Sequence, residues 1–385
     1  MKFLHLVLRS LMRSRRRTIL TLLSLAVSVF LVATLQSILA TLDGFAHNPD
    51  SANRIAIRHK VSMANFLPLR DADWIRQQPE VELVMPLQWF GGIYQDQRNF
   101  FANFAVQPEY LTGMFREEIR GYSEAGMRDF VRDRTGCVVG KALADKFGWK
   151  VGTVVPLQGT IFPVNFRLTI RDIYRGKRPA DEMSLYFQYK LLEESVSWMK
   201  GRVGAFWVRV RQANDVPRVI ERIDHRFRDD LEPTLSETEN AFQLEFLKMM
   251  GDYGTMIHTI TAAVLAAILV VTASTMGMTI RERTSEIAVL RAMGFSGHQV
   301  LGLLLAEGIL LAASGGLLGI GLTVLGADLV RGNIGLAIPW LSDFQVHGST
   351  LLFCLQASLV VGVLSTFIPA YQAVRRPIVD GLRAL

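Results

Sequence analysis

Four long apolar segments limit what this chain can fold into. Residues 18–42 contain no charged side chain. About 25 residues at a helical rise of about 1.5 Å per residue cross the hydrocarbon core of a bilayer, which is about 30 Å thick. Three further segments of similar length lie in the last third of the chain, at residues 251–280, 298–327 and 348–374. The sequence therefore predicts four transmembrane helices.

The first apolar segment could also be a cleaved signal peptide. A signal peptide has an apolar region of about 7–15 residues and a small-residue cleavage site. Residues 18–42 are longer than such a region, and no A-x-A site closes them. We therefore expect a retained membrane anchor.

The spacing of the four segments predicts the domain organisation. Residues 43–250 have an ordinary polar composition and are numerous enough for an independent domain. The other connections are short: a coupling loop at 281–297, a loop at 328–347 and a tail at 375–385. The predicted fold class is an α-helical membrane protein with four transmembrane helices and a large α+β extracytoplasmic domain inserted between helices 1 and 2.

The distribution of Lys and Arg predicts the orientation. These residues precede helix 1, separate helices 2 and 3, and follow helix 4: Lys2, Arg9, Arg13, Arg15, Arg16, Arg17; Arg281, Arg283, Arg291; Arg375, Arg376 and Arg383. The loop between helices 3 and 4 has only Arg331. Because cytoplasmic loops are enriched in Lys and Arg, we expect both termini and the loop 281–297 to be cytoplasmic.

The formal net charge of +7 first suggests a nucleic-acid partner. However, residues 43–252 contain 29 basic and 29 acidic side chains, so the excess lies in the cytoplasmic segments. The excess of basic residues therefore indicates which segments face the cytoplasm, and no nucleic-acid partner is expected.

Residues 1–17 are amphipathic. Apolar side chains recur at helical spacing, at Leu4, Val7, Leu8, Leu11 and Met12, opposite Lys2, Arg9, Arg13 and Arg16. This pattern is typical of a helix that lies in the headgroup layer of a membrane. The alternative is a tail attracted to anionic lipid by charge alone.

The block 43–250 mixes strand and helix periodicity. Alternation at 54–58 and 206–211 predicts strands, as does the run 81–87. Helices are predicted after Asp71, after Asn214 or Asp215, and before Gly148, which is placed to end a helix in a left-handed conformation.

The sequence offers little evidence of catalysis. Residues 136–142 are similar to a phosphate-binding loop, but the spacing is one residue short and Ala142 replaces the magnesium-binding hydroxyl. Cys137 and Cys354 are far apart, so we expect two unpaired packing residues. The adjacent acids Glu117/Glu118 and Glu193/Glu194 diverge on a helix and are predicted to be solvated.

Two clusters of apolar, mostly aromatic side chains have two interpretations. They comprise Phe100, Phe101 and Phe104, and Ile161, Phe162 and Phe166. We expect a domain core, since aromatic residues in strands usually pack inward. The alternative is a surface that holds a lipid or a partner segment.

The loop between helices 2 and 3 carries the most specific motif. As a helix, it places Arg283 and Glu286 three residues apart, Ile287 and Leu290 on one apolar side, and Gly294 at its end. A short, charged, amphipathic helix of this kind suits a cytosolic partner.

This loop resembles the motif R-x-x-E-I-A-x-L-R-A-x-G of ABC transporter permeases of the MacB/FtsX type, which include the LolC and LolE permeases. It runs from Arg283 through Arg291 to Gly294. The C-terminal end is similar to the family's closing pattern at Pro369, Ala370, Arg375, Pro377 and Arg383, although Pro377 is one residue early and Gly381 replaces alanine. The resemblance extends to residues 43–250 by layout only.

The resemblance implies a subunit of the bacterial inner membrane that is not itself an enzyme and binds no cofactor. A separate cytosolic ATPase, with ATP and Mg, would dock on the loop. Two ATPases would pair with two permeases, either two copies of this chain or one copy and a paralogue. A periplasmic adaptor or carrier protein and membrane lipid are further expected partners.

Several intramembrane residues are candidates for packing or coupling. Glu307 is either a structural hydrogen-bonding group or part of the coupling route. Gly315, Gly316 and Gly319 are expected to let helices approach closely. Residues 238–250 could continue as one helix into helix 2, with Gly251 and Gly254 as hinges or packing positions.

The predicted function is mechanotransmission: ATP hydrolysis in the partner moves the extracytoplasmic domain, which exports or extracts a hydrophobic or lipid-linked substrate. The alternative is a signalling module that regulates a periplasmic enzyme such as a cell-wall hydrolase. A carrier that works without ATP is disfavoured, because only Glu307 is clearly charged within a predicted span.

Overall fold

The computed structural model describes residues 15–46, 48–97, 99, 101–249, 252–329 and 344–377. The chain divides into two units, with boundaries after residues 40 and 251. Most of the predicted interfacial helix at residues 1–17 lies outside the described residues, and Arg15–Arg17 form the start of a long helix.

The first unit is helical. Its described helices are α1 (Arg15–Ala46, whose last residues belong to the second unit), α9 (Tyr253–Glu282), α10 (Thr284–Ala292), α11 (Gly297–Leu329) and α12 (Gly348–Arg375). Within the described ranges, α1, α9, α11 and α12 are long and apolar enough to cross a membrane. Arg383 and most of the loop 328–347 lie outside these ranges.

Helices α11 and α12 pack closely through small residues. A Cβ atom added to Gly308 would lie 2.0 Å from Thr366 Oγ1, and one added to Gly316 would lie 2.5 Å from Ser358 Oγ. Between these positions, a Cβ at Gly362 would lie 2.5 Å from Ala312 Cβ. Because small residues at every fourth position let helix backbones approach, these contacts determine the register of the two helices.

The second unit is an α+β domain, inserted between α1 and α9. Its strands are β1 (Arg54–His59), β2 (Leu67–Pro68), β3 (Val81–Trp89), β4 (Ala102–Val106), β5 (Ile119–Arg120), β6 (Gly136–Gly140), β7 (Val154–Gln158), β8 (Asn165–Gly176), β9 (Ser184–Gln188), β10 (Arg202–Val203), β11 (Ala205–Val210) and β12 (Thr234–Thr238). Its helices are α2 (Asp71–Arg76), α3 (Pro108–Met114), α4 (Glu124–Arg132), α5 (Lys141–Phe147), α6 (Tyr189–Ser195), α7 (Val216–Arg226) and α8 (Glu239–Met249). The predicted fold class is confirmed.

Ten strands form one mixed sheet in the order β12-β1-β11-β3-β4-β9-β6-β8-β5, with β7 paired to β8. Strands β4 and β9 are parallel, as are β6 and β8, and the other pairs are antiparallel. The short strands β2 and β10 form a separate pair. Strand β1, which follows α1, pairs with β12, which precedes α8.

Both faces of the sheet are covered. Successive residues of a strand point to opposite faces, and Ile55 and Val208 belong to one buried cluster while Ala56 and Trp207 belong to the other. As a result, all residues of β1 and β11 are buried. The expected strands at 54–58, 81–87 and 206–211 are confirmed to within two residues.

The predicted helix ends are partly corrected. Gly148 ends α5 with a φ of 68°, as expected. Asp71 is the first residue of α2, not its N-cap, which is Arg70. Asp215 occupies the N-cap of α7 without a capping side-chain hydrogen bond, and Pro217 stabilises the first turn by its fixed φ.

The aromatic clusters mostly form the core, as expected. Phe101, Phe162 and Phe166 are buried, whereas Ile161 is exposed. Phe100 lies outside the described residues. Cys137 and Cys354 are free and buried, which confirms their predicted packing role.

The prediction that Glu117 and Glu118 are solvated is wrong for Glu118 and holds only in part for Glu117, whose side chain is 28% exposed. Glu118 is buried and accepts hydrogen bonds from Arg54, and Glu117 accepts them from Arg209. Arg54 lies within ion-pair distance of both carboxylates, with Nη1 3.8 Å from Glu117 Oε2, and both Arg54 and Arg209 are buried in the sheet.

Candidate coupling site

The predicted coupling loop forms a separate helix. Helix α9 ends at Glu282, Arg283 links the two helices, and α10 begins at Thr284. Thr284 Oγ1 donates to the carbonyl oxygen of Arg281 (2.7 Å). Glu286 lies in the first turn of α10 and Arg291 in the last, which is the favourable placement for a helix dipole.

Gly294 provides the turn that ends α10. Its φ is 97°, a left-handed conformation that only glycine adopts readily. The amide of Phe295 donates to the carbonyl oxygen of Leu290 (3.2 Å), and Gly294 itself donates to Arg291 (3.1 Å). The chain then enters α11 at Gly297.

One side of α10 packs inside the helical unit. Ile287 is buried in a cluster with residues of α9, α11 and α12, among them Ile280, Leu304 and Ala370, and Leu290 packs against this cluster. The apolar edge that the sequence suggested for a cytosolic partner is therefore used within the chain.

Arg283 connects α10 to α11. Its Nη1 atom donates to both carboxylate oxygens of Glu307, at 3.0 and 3.2 Å. The side chains of Arg283 and Glu307 are 16% and 9% exposed, so water screens the pair only weakly. Glu307 thus has a partner outside its own helix.

Arg291 connects α10 to the end of α12. Its Nη1 atom donates to the carbonyl oxygens of Val374 (2.8 Å) and Arg376 (2.9 Å). The last carbonyl groups of a helix lack hydrogen-bond donors within the helix. Arg291 supplies a donor to the carbonyl groups at the end of α12.

The C-terminal motif residues lie on α12 and just after it. Ala370 is buried in the cluster around Ile287, and Pro369 lies within the helix. The guanidinium of Arg375 lies over the ring of Tyr371, 4.5 Å from its centroid. Pro377 follows the helix end, and Arg383 lies outside the described residues.

The opposite side of α10 is exposed. Glu286 is at the surface, Val289 is 39% exposed and Met293 is 64% exposed. These three residues recur at helical spacing and form what we call the outer face of α10. Val289 and Met293 were not among the predicted coupling residues, although their spacing from Glu286 was the signal that could have found them.

The predicted glycines of α11 lie in close contact with two different helices. A Cβ at Gly315 would meet Leu25 Cβ at 2.6 Å, and one at Gly319 would meet the carbonyl oxygen of Ala26 at 2.6 Å, both in α1. Gly316 instead faces Ser358 of α12. Helix α11 is therefore packed between α1 and α12.

The phosphate-loop-like segment has no room for a phosphate. The Glu182 carboxylate accepts a hydrogen bond from the amide of Ala142 (3.1 Å), at the start of α5. A Cβ at Gly140 would lie 2.2 Å from the carbonyl oxygen of Glu182. Within the described residues, no cluster of His, Cys, Asp or Glu could hold a metal ion.

The expected continuous helix from residue 238 into helix 2 is interrupted. Helix α8 ends at Met249, and α9 starts at Tyr253. Asp252 is the N-cap of α9, and its side chain accepts a hydrogen bond from the amide of Thr255 (3.1 Å). Gly254 lies in the first turn, and Gly251 is outside the described residues.

Two family models cover most of the chain. Residues 18–226 match the MacB-like periplasmic core domain, and residues 259–378 match the FtsX-like permease C-terminal region. The chain belongs to the MacB/FtsX family of ABC transporter permeases. Its α+β unit is therefore a periplasmic core domain between the first two of four membrane helices, and the chain fits an inner membrane protein.

Individual relatives agree with this assignment. The chain is 23% identical to the ABC transporter permease MJ1507 of Methanocaldococcus jannaschii over an alignment of 398 positions, gaps included, that covers 97% of this chain and 96% of that one. It is 30% identical to the permease YknZ of Bacillus subtilis over 154 residues (38% and 37%). It is 33% identical to the macrolide export ATP-binding/permease protein MacB of Nitrobacter winogradskyi over 105 residues (27% and 15%).

Two solved structures are similar to parts of the chain. The periplasmic region of MacB from Actinobacillus actinomycetemcomitans has a TM-score of 0.36 at 12% identity, over 50% of this chain and 92% of that one. The extracellular domain of YknZ has a TM-score of 0.37 at 13% identity, over 48% of this chain and 100% of that one.

Proposed function

We propose that this chain is the membrane subunit through which a separate ATPase moves the periplasmic domain, so that a hydrophobic or lipid-linked substrate is exported or extracted. ATP and Mg would bind in the ATPase. Two ATPases and two permease chains would form the complex, with both termini in the cytoplasm. A periplasmic adaptor or carrier would receive the substrate.

The observation that carries the proposal is the two-sided environment of α10. Its inner side is held to α11 by Arg283 and to α12 by Arg291, with Ile287 buried between them. Its outer face presents Glu286, Val289 and Met293. A protein that displaces this face would therefore pull on two membrane helices at once.

The outer face also has the composition of a docking site. Exposed Val289 and Met293 offer apolar contact area beside the acidic Glu286. Apolar residues at the centre of an interface, with charge at the rim, are typical of protein partners. Methionine adapts its shape to a partner surface with little strain.

The proposed transport role gains support from the names of relatives. The Nitrobacter relative is described as a macrolide exporter, and a relative in Pseudomonas syringae, 29% identical over 167 residues, as a pyoverdine exporter. The chain spans only 15% and 24% of these two proteins. Export by this chain is our inference from them.

The experiment compares two double substitutions in the full-length permease. Val289→Asp with Met293→Asp places two charges on the outer face of α10, and Leu231→Asp with Val61→Asp places two on exposed apolar positions of the periplasmic domain. Each variant is reconstituted in vesicles with the partner ATPase that binds the wild-type permease. We expect the α10 variant to lose at least about tenfold in ATPase affinity, the size of effect of a typical interface hot spot, and the control to bind normally.

Two outcomes would reject the proposal. Normal ATPase binding by the α10 variant would show that the partner docks elsewhere. Normal binding and hydrolysis in the wild type, with a cell-wall hydrolase activated and no substrate moved, would favour the signalling alternative.

A further inference from the structure

The two places where the periplasmic domain is joined to membrane helices lie beside each other in the fold. Asn48 and β1 follow α1 along the chain, and α8 precedes α9. Strands β1 and β12 are paired so that Ile55 lies opposite Thr238, the residue before α8. Both connections are thus anchored at one edge of the sheet.

Arg54 holds both connections. It is the first residue of β1 and is 1% exposed. Its Nε atom donates to the carboxylate of Glu239, the first residue of α8, and its Nη1 atom donates to Glu118 Oε2 (2.9 Å). The ring of Phe115 lies 5.2 Å from the guanidinium carbon.

Two asparagines reinforce the same junction. The backbone amide of Asn48 donates to Asn240 Oδ1 (3.1 Å), and Asn240 Nδ2 donates to the backbone carbonyl oxygen of Asn48 (3.2 Å). Ser51 Oγ also donates to Asn240 Oδ1 (2.7 Å), and Asn48 Nδ2 donates to Glu118 Oε1 (3.2 Å). These bonds join the chain before β1 to the first turn of α8.

A second buried arginine, Arg209, holds the turn that carries Glu117 and Glu118 against the sheet. Arg209, in β11, donates to the carbonyl oxygen of Met114 through Nη2 (2.6 Å) and Nε (3.2 Å). It also donates to Glu117 through Nη1 (3.2 Å). The turn that carries Glu118 is therefore held by a neighbouring strand, and Glu118 can hold Arg54 in place.

The cluster is better suited to fixing geometry than to adding stability. Arg54, Arg209, Glu118 and Glu239 bring two positive and two negative charges into the domain interior, and the half-buried Glu117 adds a third negative charge beside them. Burying charges costs free energy that their mutual attraction barely repays, so apolar residues would be at least as stabilising. The bidentate pairs Arg54–Glu118 and Arg209–Glu117, however, add geometric specificity to how the turn sits against β1 and β11, and Arg54 Nε extends the same guanidinium to Glu239 of α8.

We infer that this Arg54 cluster is the joint that makes the two connections of the periplasmic domain move as one body. The inference rests on the proposed function, because it names the residues through which motion of α1 and α9 would enter the domain. Arg54 is in this sense a positioning residue.

The test measures amide hydrogen exchange in the full-length permease, first without any ATPase. The variants are Arg54→Met and the milder Glu239→Gln. The control is Arg222→Gln, which removes a different ion pair of the same domain, Arg222 with Glu80 (2.7 Å). We expect exchange at residues 48–54 and 239–245 to rise together in both joint variants, by at least about tenfold in Arg54→Met, and neither segment to change in the control.

Separate behaviour would overturn the inference. If only one of the two segments exchanges faster in Glu239→Gln, the connections are not joined by the cluster. Should Arg54→Met fail to fold, Glu239→Gln decides the question alone.

A second arm adds the ATPase in vesicles. If the wild type shows no coupled hydrolysis, the proposed function fails while the exchange result stands. If the wild type is coupled and Glu239→Gln retains full coupling despite faster exchange at both segments, the joint does not transmit motion.

Discussion

Arg283 Nη1 lies 3.0 Å from Glu307 Oε2, across 24 residues of sequence and between two different helices. This pair joins the loop motif to the acidic residue of the third apolar segment. Both residues stand out in the sequence, but their spacing does not place them together, because the helical pattern sets Arg283 beside Glu286.

Substitution of either partner of this pair should destabilise the helical unit. Removing one member of a buried ion pair leaves the other charge uncompensated and costs about 3–5 kcal/mol. We therefore expect a clear fall in the melting temperature of Arg283→Gln and Glu307→Gln in detergent, with partial recovery in the exchanged pair Arg283→Glu/Glu307→Arg. Arg281→Gln, at an exposed neighbouring arginine, is the control. Equal melting of all four variants would contradict this account.

The two sides of α10 should respond differently to truncation. Ile287→Ala removes buried side-chain atoms from the cluster of α9, α11 and α12 and should cost about 2–4 kcal/mol. Val289→Ala, on the outer face, should change the stability of the isolated permease by less than about 0.5 kcal/mol. Thermal unfolding of both variants measures the contrast. A large effect of Val289→Ala would mean that the outer face is already covered within the permease.

Close packing of α11 against α12 predicts a large effect of one methyl group. The Cβ of Gly308→Ala would lie 2.0 Å from Thr366 Oγ1, so the helices must separate, at about 1–3 kcal/mol. Gly302→Ala lies in the same helix with open space around it and should be neutral or stabilising by up to about 1 kcal/mol. Melting temperatures in detergent provide the comparison, and a neutral Gly308→Ala would refute the predicted packing.

The pH dependence of the periplasmic domain should include a contribution from Asp71. Burial raises the pKa of Asp71 to about 6, although Arg70 acts to lower it. A carboxyl group with a raised pKa holds its proton more tightly in the folded chain, so the contribution of Asp71 to folding stability falls as the pH rises from about 4 to above 6. Asp71→Asn should remove this fall and add about 1–2 kcal/mol at pH 7.5.

The control for this prediction is Asp73→Asn, at a mostly exposed position in the same helix. Unfolding of the full-length chain between pH 4 and 8 provides the measurement. A wild-type stability that rises over this interval, with the same slope in Asp71→Asn, would contradict the assignment.

The membrane helices could be predicted because four segments of this length with almost no charge fit a bilayer best. The strands at 54–58 and 206–211 could be predicted from alternation. Alternation did not reveal that Arg54 and Arg209 are buried, because a residue that alternates with apolar neighbours usually faces water. Only the three-dimensional fold brings Glu117, Glu118 and Glu239 to these arginines.

The coupling site was partly predictable for a similar reason. The motif identified α10 and its residues, but a helix of nine residues has two sides, and sequence alone did not show which side packs on the chain itself. Ile287 and Leu290 were assigned to the partner and in fact pack within the permease. The exposed Val289 and Met293 could have been found from their helical spacing relative to Glu286, but the sequence did not show that this side of α10 is the exposed one.

The small-residue contacts of α11 and α12 repeat at every fourth position: Gly308 with Thr366, Ala312 with Gly362, and Gly316 with Ser358. A slide of α12 along α11 by four residues, about 6 Å, would again set small residues against small residues at two of these three places. The same spacing that locks the helices in one register thus also defines a neighbouring register, one step away, in which they could lock again.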